Sequence, residues 1–163
     1  MKKLLLLFSL FFLQSILCSA QNIQTLKQLA TQGDADCQLA LGVAYFTGTK
    51  VEKNTGTACV WFEMAANQGN KDAQTLLGQC YLNGEGVTYN PTKAVEWLQK
   101  AANQGDAIAQ RMLGDCYHNA IGVKRNYSKA IKWYQQAANQ GDSEAKEKLQ
   151  PLLKLQEDIK NTK

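Results

Sequence analysis

Residues 69–104 read GNKDAQTLLGQCYLNGEGVTYNPTKAVEWLQKAANQ. In the first half, Ala73, Leu77 and Tyr81 fall at i, i+4 and i+8, one stripe of a helix. In the second half, Ala94, Trp97, Leu98 and Ala101 form another. Between them, Asn83-Gly84-Glu85-Gly86 is a polar, glycine-punctuated loop that ends a helix instead of extending it. Pro91 suits the first turn of the second helix, where a missing N–H costs little. The stretch therefore predicts helix–loop–helix, with helix A near 71–82 and helix B near 91–103.

The same pattern recurs on both sides. Residues 33–68 and 105–140 align with it without a gap, at a period of 36 residues. The shared columns are Gln38/Gln74/Gln110, Leu41/Leu77/Leu113, Gly42/Gly78/Gly114, Tyr45/Tyr81/Tyr117, Val51/Val87/Val123, Asn54/Asn90/Asn126, Ala58/Ala94/Ala130, Trp61/Trp97/Trp133 and the AANQ ending. That density of coincidence is a tandem array. It places the other helices A near 35–46 and 107–118, and the other helices B near 55–67 and 127–139. Each Gln-Gly-Asp/Asn junction supplies a glycine stop and then an Asp or Asn start. A glycine inside helix A costs about 1 kcal/mol against alanine, so it needs a packing reason. Gly42, Gly78 and Gly114 are expected to admit the bulky Trp or Tyr of a neighbouring helix close to the backbone. The aromatic columns read as core.

The pattern A-x-A-Q-x-x-L-G-x-x-Y-x-x-G-x-G-V…A-x-x-W-x-x-x-A-A-x-Q-G resembles the Sel1-like repeat family, a relative of the tetratricopeptide repeats. Residues 69–104 carry it as Ala73, Gln74, Leu77, Gly78, Tyr81, Gly84, Gly86, Val87, Ala94, Trp97, Ala101, Ala102 and Gln104. Lys50 and Ala120 depart from it where the family has glycine, which puts the loop geometry in question. The resemblance implies an all-α, right-handed αα-solenoid of three repeats with a capping half-repeat at each end. In a cysteine-rich branch of that family, paired cysteines cross each inter-repeat turn. Here most matching positions are alanine (Ala66, Ala73, Ala102 and Ala109).

The flanks complete the plan. Residues 22–32 resemble a lone helix B, with Leu26 and Leu29 packing on the first helix A. Residues 142–149 begin a fourth helix A, which Pro151 is expected to end or kink. Leu152, Leu153 and Leu155 should fold back on the last repeat, leaving a frayed polar tail from Gln156. At the start, Met1-Lys2-Lys3, the apolar run 4–13 and the small residues before Gln21 read as a signal peptide cut after Ala20. The run is too short to span a bilayer, which takes about 20 apolar residues. Lipidation at Cys18 would instead want a small residue before it, where Leu17 stands. Cleavage leaves 143 of the 163 residues. It removes Lys2, Lys3 and Cys18, so net charge falls from +4 to +2 and four cysteines remain.

Little of this sequence suits catalysis. The small, spread charge excludes a dedicated nucleic-acid binder. One histidine excludes most histidine-based zinc or catalytic sites, and no C-x-x-C is present, so neither a metal nor a cofactor is expected. Cys59 and Cys80 lie almost symmetrically about the turn near Gly69, so they are candidates for a disulfide or for two small core residues. Ser143-Glu144-Ala145-Lys146 is a literal S-x-x-K, without the companion motifs of penicillin-recognising enzymes.

Binding is the stronger class. In the tetratricopeptide superfamily helix A lines the concave side of the array. The residues there that avoid the core stripe are Gln79, Leu82, Asn83, Arg111, Asp115, His118 and Asn119. The sequence thus points to an exported, periplasmic or secreted monomer that binds a protein or peptide, without membrane insertion after cleavage. The competing readings are a cell-wall-acting or β-lactam-hydrolysing enzyme and a lipid-anchored envelope scaffold.

Overall fold

The computed structural model describes residues 22–161, so the leader expected at 1–20 and Cys18 lie outside the described residues. Eight helices and no strand occur among those residues. They are α1 (Ile23–Thr31), α2 (Ala35–Thr47), α3 (Thr55–Asn67), α4 (Lys71–Asn83), α5 (Pro91–Asn103), α6 (Ala107–Asn119), α7 (Tyr127–Asn139) and α8 (Ser143–Asn161). The six helices of the array fall within one residue of the expected bounds. Two compact units are present, one ending at Ala73 and one beginning at Gln74.

The start of each helix is set by the repeat. Asn54, Asn90 and Asn126 each accept a hydrogen bond from the backbone N–H three residues on, at 2.9, 3.0 and 2.9 Å. Asp34, Asn70, Asp106 and Asp142 do the same for helices A and α8, at 2.7–2.9 Å. Such caps contribute about 1 kcal/mol each. The repeated Asn of helix B is therefore a cap.

In the first unit, α1 closes the end of α2. Ile23, Leu26 and Leu29 pack on buried Cys37 and Leu41, as expected of a capping half-repeat. In the second unit, Val95 and Leu98 of α5 pack with Leu113 and Cys116 of α6. Ala130, Tyr134 and Ala137 of α7 pack with Ala145, Leu149 and Leu152 of α8.

Two loop departures are absorbed without a change of geometry. Gly48, Gly84 and Ala120 occupy one repeat column, with φ of 78°, 70° and 62°. Lys50, Gly86 and Gly122 occupy another, with φ of 61°, 74° and 68°. Lys50 and Ala120 thus hold the left-handed conformation, at a cost of about 1–2 kcal/mol each.

Two expectations are corrected. First, α8 does not end at Pro151 and its residues from Gln156 are helical; it runs on to Asn161. Proline inside a helix costs about 3 kcal/mol. Leu149 and Leu152 flank it and are 3% and 6% exposed. At about 1.5–3 kcal/mol for each buried leucine, they offset that cost. Leu155 remains exposed. Second, Gly114 faces a tyrosine as expected, Tyr134, but Gly42 and Gly78 face Phe62 and Leu98 instead of a Trp or Tyr. The invariant tryptophans lie one position earlier and are half-buried, with Lys100 Nζ 3.7 Å above the Trp97 ring.

Candidate functional site

The invariant glutamines form a ladder between repeats. Gln68 donates to Gln38 at 2.7 Å, and Gln104 to Gln74 and Gln140 to Gln110 at 2.8 Å. Gln38 and Gln110 pass the chain on, each donating at 3.1 Å to a backbone carbonyl, of Ala30 and Ala102. Buried amides need such partners, so this column is structural.

Two sequence-derived site residues also belong to a junction. Thr75 reaches the cap of the next helix A, donating to Asp106 Oδ1 at 3.1 Å. Arg111 is its counterpart one repeat on. Its Nε meets Asp142 Oδ2 and its Nη1 meets Glu144 Oε2, both at 3.0 Å. Glu144 Oε1 pairs with Lys148 Nζ at 2.8 Å. Lys148 also holds both oxygens of Asp115, at 2.8 and 2.9 Å. Asp115 Oδ1 accepts the Tyr134 hydroxyl at 2.7 Å. Arg111 and Asp115 are thereby brought together in a network that clamps α8 to α6 and α7.

Titration follows this wiring. The hydrogen bond from Lys148 holds the Glu144 carboxyl below its ordinary range. Burial works against the Lys148 charge, but its bonds to Asp115 and Glu144 outweigh it and hold its pKa above the usual value. Burial raises the Tyr134 phenol, as do its hydrogen bond to Asp115 and that carboxylate's charge. Burial and then the Asp115 charge push the Cys116 thiol from 9.0 up to about 11. Both groups hold their protons more tightly when folded. Their contribution is thus complete below the unfolded-state pKa and is lost as pH rises through the folded one. Urea unfolding at pH 8 and pH 11 checks this. Cys116→Ala should recover on the order of 2 kcal/mol of the alkaline loss. Alanine already fills this column at Ala44.

The remaining predicted residues divide by exposure. Gln79, Asn83 and Asn119 are exposed. Leu82 is half-buried and packs on the α5–α6 core. His118 is half-buried, its ring edge-on to Tyr127 with centroids 5.6 Å apart.

Where α6 passes into α7 lies an open slot of about 390 Å³. It is lined by Tyr117, Val123, Lys124, Arg125, Asn126 and Lys129. Lys129 Nζ stands 5.0 Å above the Tyr117 ring. Sequence reasoning missed this slot. Its signal was available as the run Lys124-Arg125, which replaces Thr88-Tyr89 one repeat earlier.

The Sel1 repeat model matches residues 35–70, 71–106 and 107–142. The chain belongs to the Sel1 repeat family. Its fold is the αα-solenoid of that family, whose repeats generally mediate protein–protein interactions. A Sel1 repeat protein from Oxalobacter formigenes is 39% identical, with a TM-score of 0.73 over 79% of this chain and 97% of that one. A second similar structure is c5321, a protective antigen present in uropathogenic Escherichia coli strains displaying an SLR fold. It is 42% identical, with a TM-score of 0.75 over 77% of this chain and 27% of its own. Helicobacter pylori cysteine rich protein B shares the fold at 22% identity, with a TM-score of 0.59 over 76% of this chain and 88% of that one. No curated protein matches the chain significantly.

Against this Sel1 background, two further features of the sequence can be placed. Cys37, Cys59, Cys80 and Cys116 are all buried, and Cys59 and Cys80 lie in different compact units. The two side chains serve as small core residues of their own units. Ser143 and Lys146 are both exposed on the first turn of α8. Their neighbours Asp142 and Glu144 are engaged by Arg111.

Proposed function

We propose that this Sel1 repeat protein is an exported adaptor that binds a protein partner through the end of helix A and the loop after it, without chemistry of its own. One observation carries the reading. Most side chains identical in every repeat go into the core, the caps or the glutamine ladder (the helix-ending Asn67, Asn103 and Asn139 are the exposed exception), whereas those that differ at Gln79, Asn83, Asn119 and Lys124-Arg125 stay exposed. Repeat arrays hold such variable positions on a rigid frame, which lowers the ordering cost of binding. The leader at residues 1–20 supports a periplasmic or secreted setting.

The test is affinity capture from the exported fraction, with the intact chain and the double variant Asn83→Arg, Asn119→Arg as baits. The intact chain should retain a defined protein that the variant loses at least tenfold. Ser143→Ala should leave the catch unchanged. Equal recovery on the Asn83/Asn119 variant would sink the reading.

A further inference from the structure

We infer that the slot between α6 and α7 binds a carboxylate-bearing segment, an acidic stretch of peptide, through Lys124, Arg125 and Lys129 against the face of Tyr117. The inference rests on the adaptor reading above and names the chemistry of its partner.

The equivalent positions make the slot a natural comparison series. Every repeat has the same frame, with a tyrosine whose carbonyl accepts from the helix B cap (Asn54 to Tyr45, Asn90 to Tyr81, Asn126 to Tyr117) at 2.8–2.9 Å. What differs is charge. The first repeat places Glu52, Lys53 and Thr57 at these positions, and the second Thr88, Tyr89 and Lys93. The third places Lys124, Arg125 and Lys129. The formal sum therefore rises from zero to +1 to +3 on an unchanged backbone. Nothing in the fold requires that rise, because the other two loops close without it.

The cations also have no carboxylate partner among the described residues. Arg111 and Lys148, in the same unit, are each held by two carboxylates. No Asp or Glu among the described residues forms an ion pair with Lys124, Arg125 or Lys129, and Lys129 rests only on the Tyr117 ring. Three like charges on one concave surface repel one another and raise the local concentration of anions. Arg125 offers a planar fork suited to a carboxylate, and Lys124 and Lys129 add point charges.

Size and context select peptide among anions. About 390 Å³ holds one or two side chains. The chain's charge of +4 includes two lysines of the leader, which leaves little for the long contact track that a polynucleotide or a membrane surface demands.

The experiment uses the intact chain and three fluorescein-labelled hexapeptides of equal length, acidic (Asp/Glu), neutral and basic, read by anisotropy. The acidic peptide should bind, and the others should bind at least tenfold more weakly. Raising NaCl from about 50 to 500 mM should weaken the acidic complex at least tenfold, since exposed pairs are screened. Lys124→Glu with Arg125→Glu should abolish it, while Lys124→Gln with Arg125→Gln should weaken it about tenfold. Unchanged far-ultraviolet circular dichroism would show that both variants are folded, and Lys93→Glu in the second repeat should have no effect. Three outcomes overturn the inference: binding that survives the charge reversal, equal binding of the neutral peptide, or tighter binding to phosphatidylglycerol vesicles than to the acidic peptide. Each leaves the capture experiment on Asn83 and Asn119 to judge the adaptor reading independently.

Discussion

Replacing Gly114 by alanine is expected to lower the unfolding free energy by about 3 kcal/mol, although alanine is the better helix former by about 1 kcal/mol. An added Cβ would stand 2.5 Å from Cδ1 and 2.9 Å from Cζ of Tyr134, inside the contact distance of real atoms. The ring has no route of escape. Tyr134 is fully buried, and its hydroxyl is tied to Asp115 at 2.7 Å. The repeat again supplies controls. At Gly42 the added atom would meet Phe62 at 2.6 Å, and at Gly78 it would meet Leu98 at 2.8 Å. Leu98 overlaps less and has no polar tether, so Gly78→Ala should cost less than Gly114→Ala. A double-mutant cycle settles the cause. Tyr134→Ala alone should cost about 3–5 kcal/mol. In that background Gly114→Ala should change sign and stabilise by about 1 kcal/mol, because the obstructing ring is gone and only helix propensity remains. Urea unfolding of the four proteins measures it. An equal loss in both backgrounds would show that the glycine answers to something other than the ring.

The contrast between this pair and the charge network shows what a repeat sequence makes legible. The helix bounds, the caps at Asp34, Asp106 and Asp142, and the packing of α1 could all be read, because each is a local pattern repeated at a fixed period. The role of the helix A glycines was legible too, but their partner was displaced by one position, from Trp61 and Trp97 to Phe62 and Leu98. Invariance drew attention to tryptophan, whereas the contact is made by a column that varies in shape while staying large. At Arg111 and Asp115 the ion pairs were hidden for the opposite reason. They differ from Thr75 and Gln79 one repeat earlier, and variation on helix A reads as a recognition surface. Their partners Asp142, Glu144 and Lys148 lie 31–33 residues away, in the half-repeat that departs from the pattern. A terminal repeat must close the array, so residues beside it vary for the sake of the cap. The continuation of α8 past Pro151 was not legible, because a local breaker rule carries no information on Leu149 and Leu152 buried either side of it.

Asp115 is the position where that distinction has its largest measurable consequence. Asp115→Ala is expected to cost about 3 kcal/mol, and the loss should come mainly from the hydroxyl it abandons. Tyr134 is fully buried, so its O–H would have no water to turn to. Leaving a buried donor unsatisfied costs about 1–3 kcal/mol, and hydrogen bonds to charged groups contribute about 1.5–3. Lys148 would lose both Asp115 contacts but keep Glu144 at 2.8 Å, on a side chain one-third exposed, so its share is small. The same asymmetry predicts the rescue. Tyr134→Phe alone should cost about 1 kcal/mol, yet added to Asp115→Ala it should restore about 2 kcal/mol by removing the orphaned hydroxyl. Asp115→Asn, which keeps an oxygen acceptor, should fall between wild type and Asp115→Ala. A pure surface residue of a binding face would give none of this. It would shift stability by less than about 0.5 kcal/mol in every combination. Urea unfolding of the five proteins therefore decides whether Asp115 belongs to the clamp on α8 or to the surface presented to a partner. A flat series would return Asp115 to the partner-binding face.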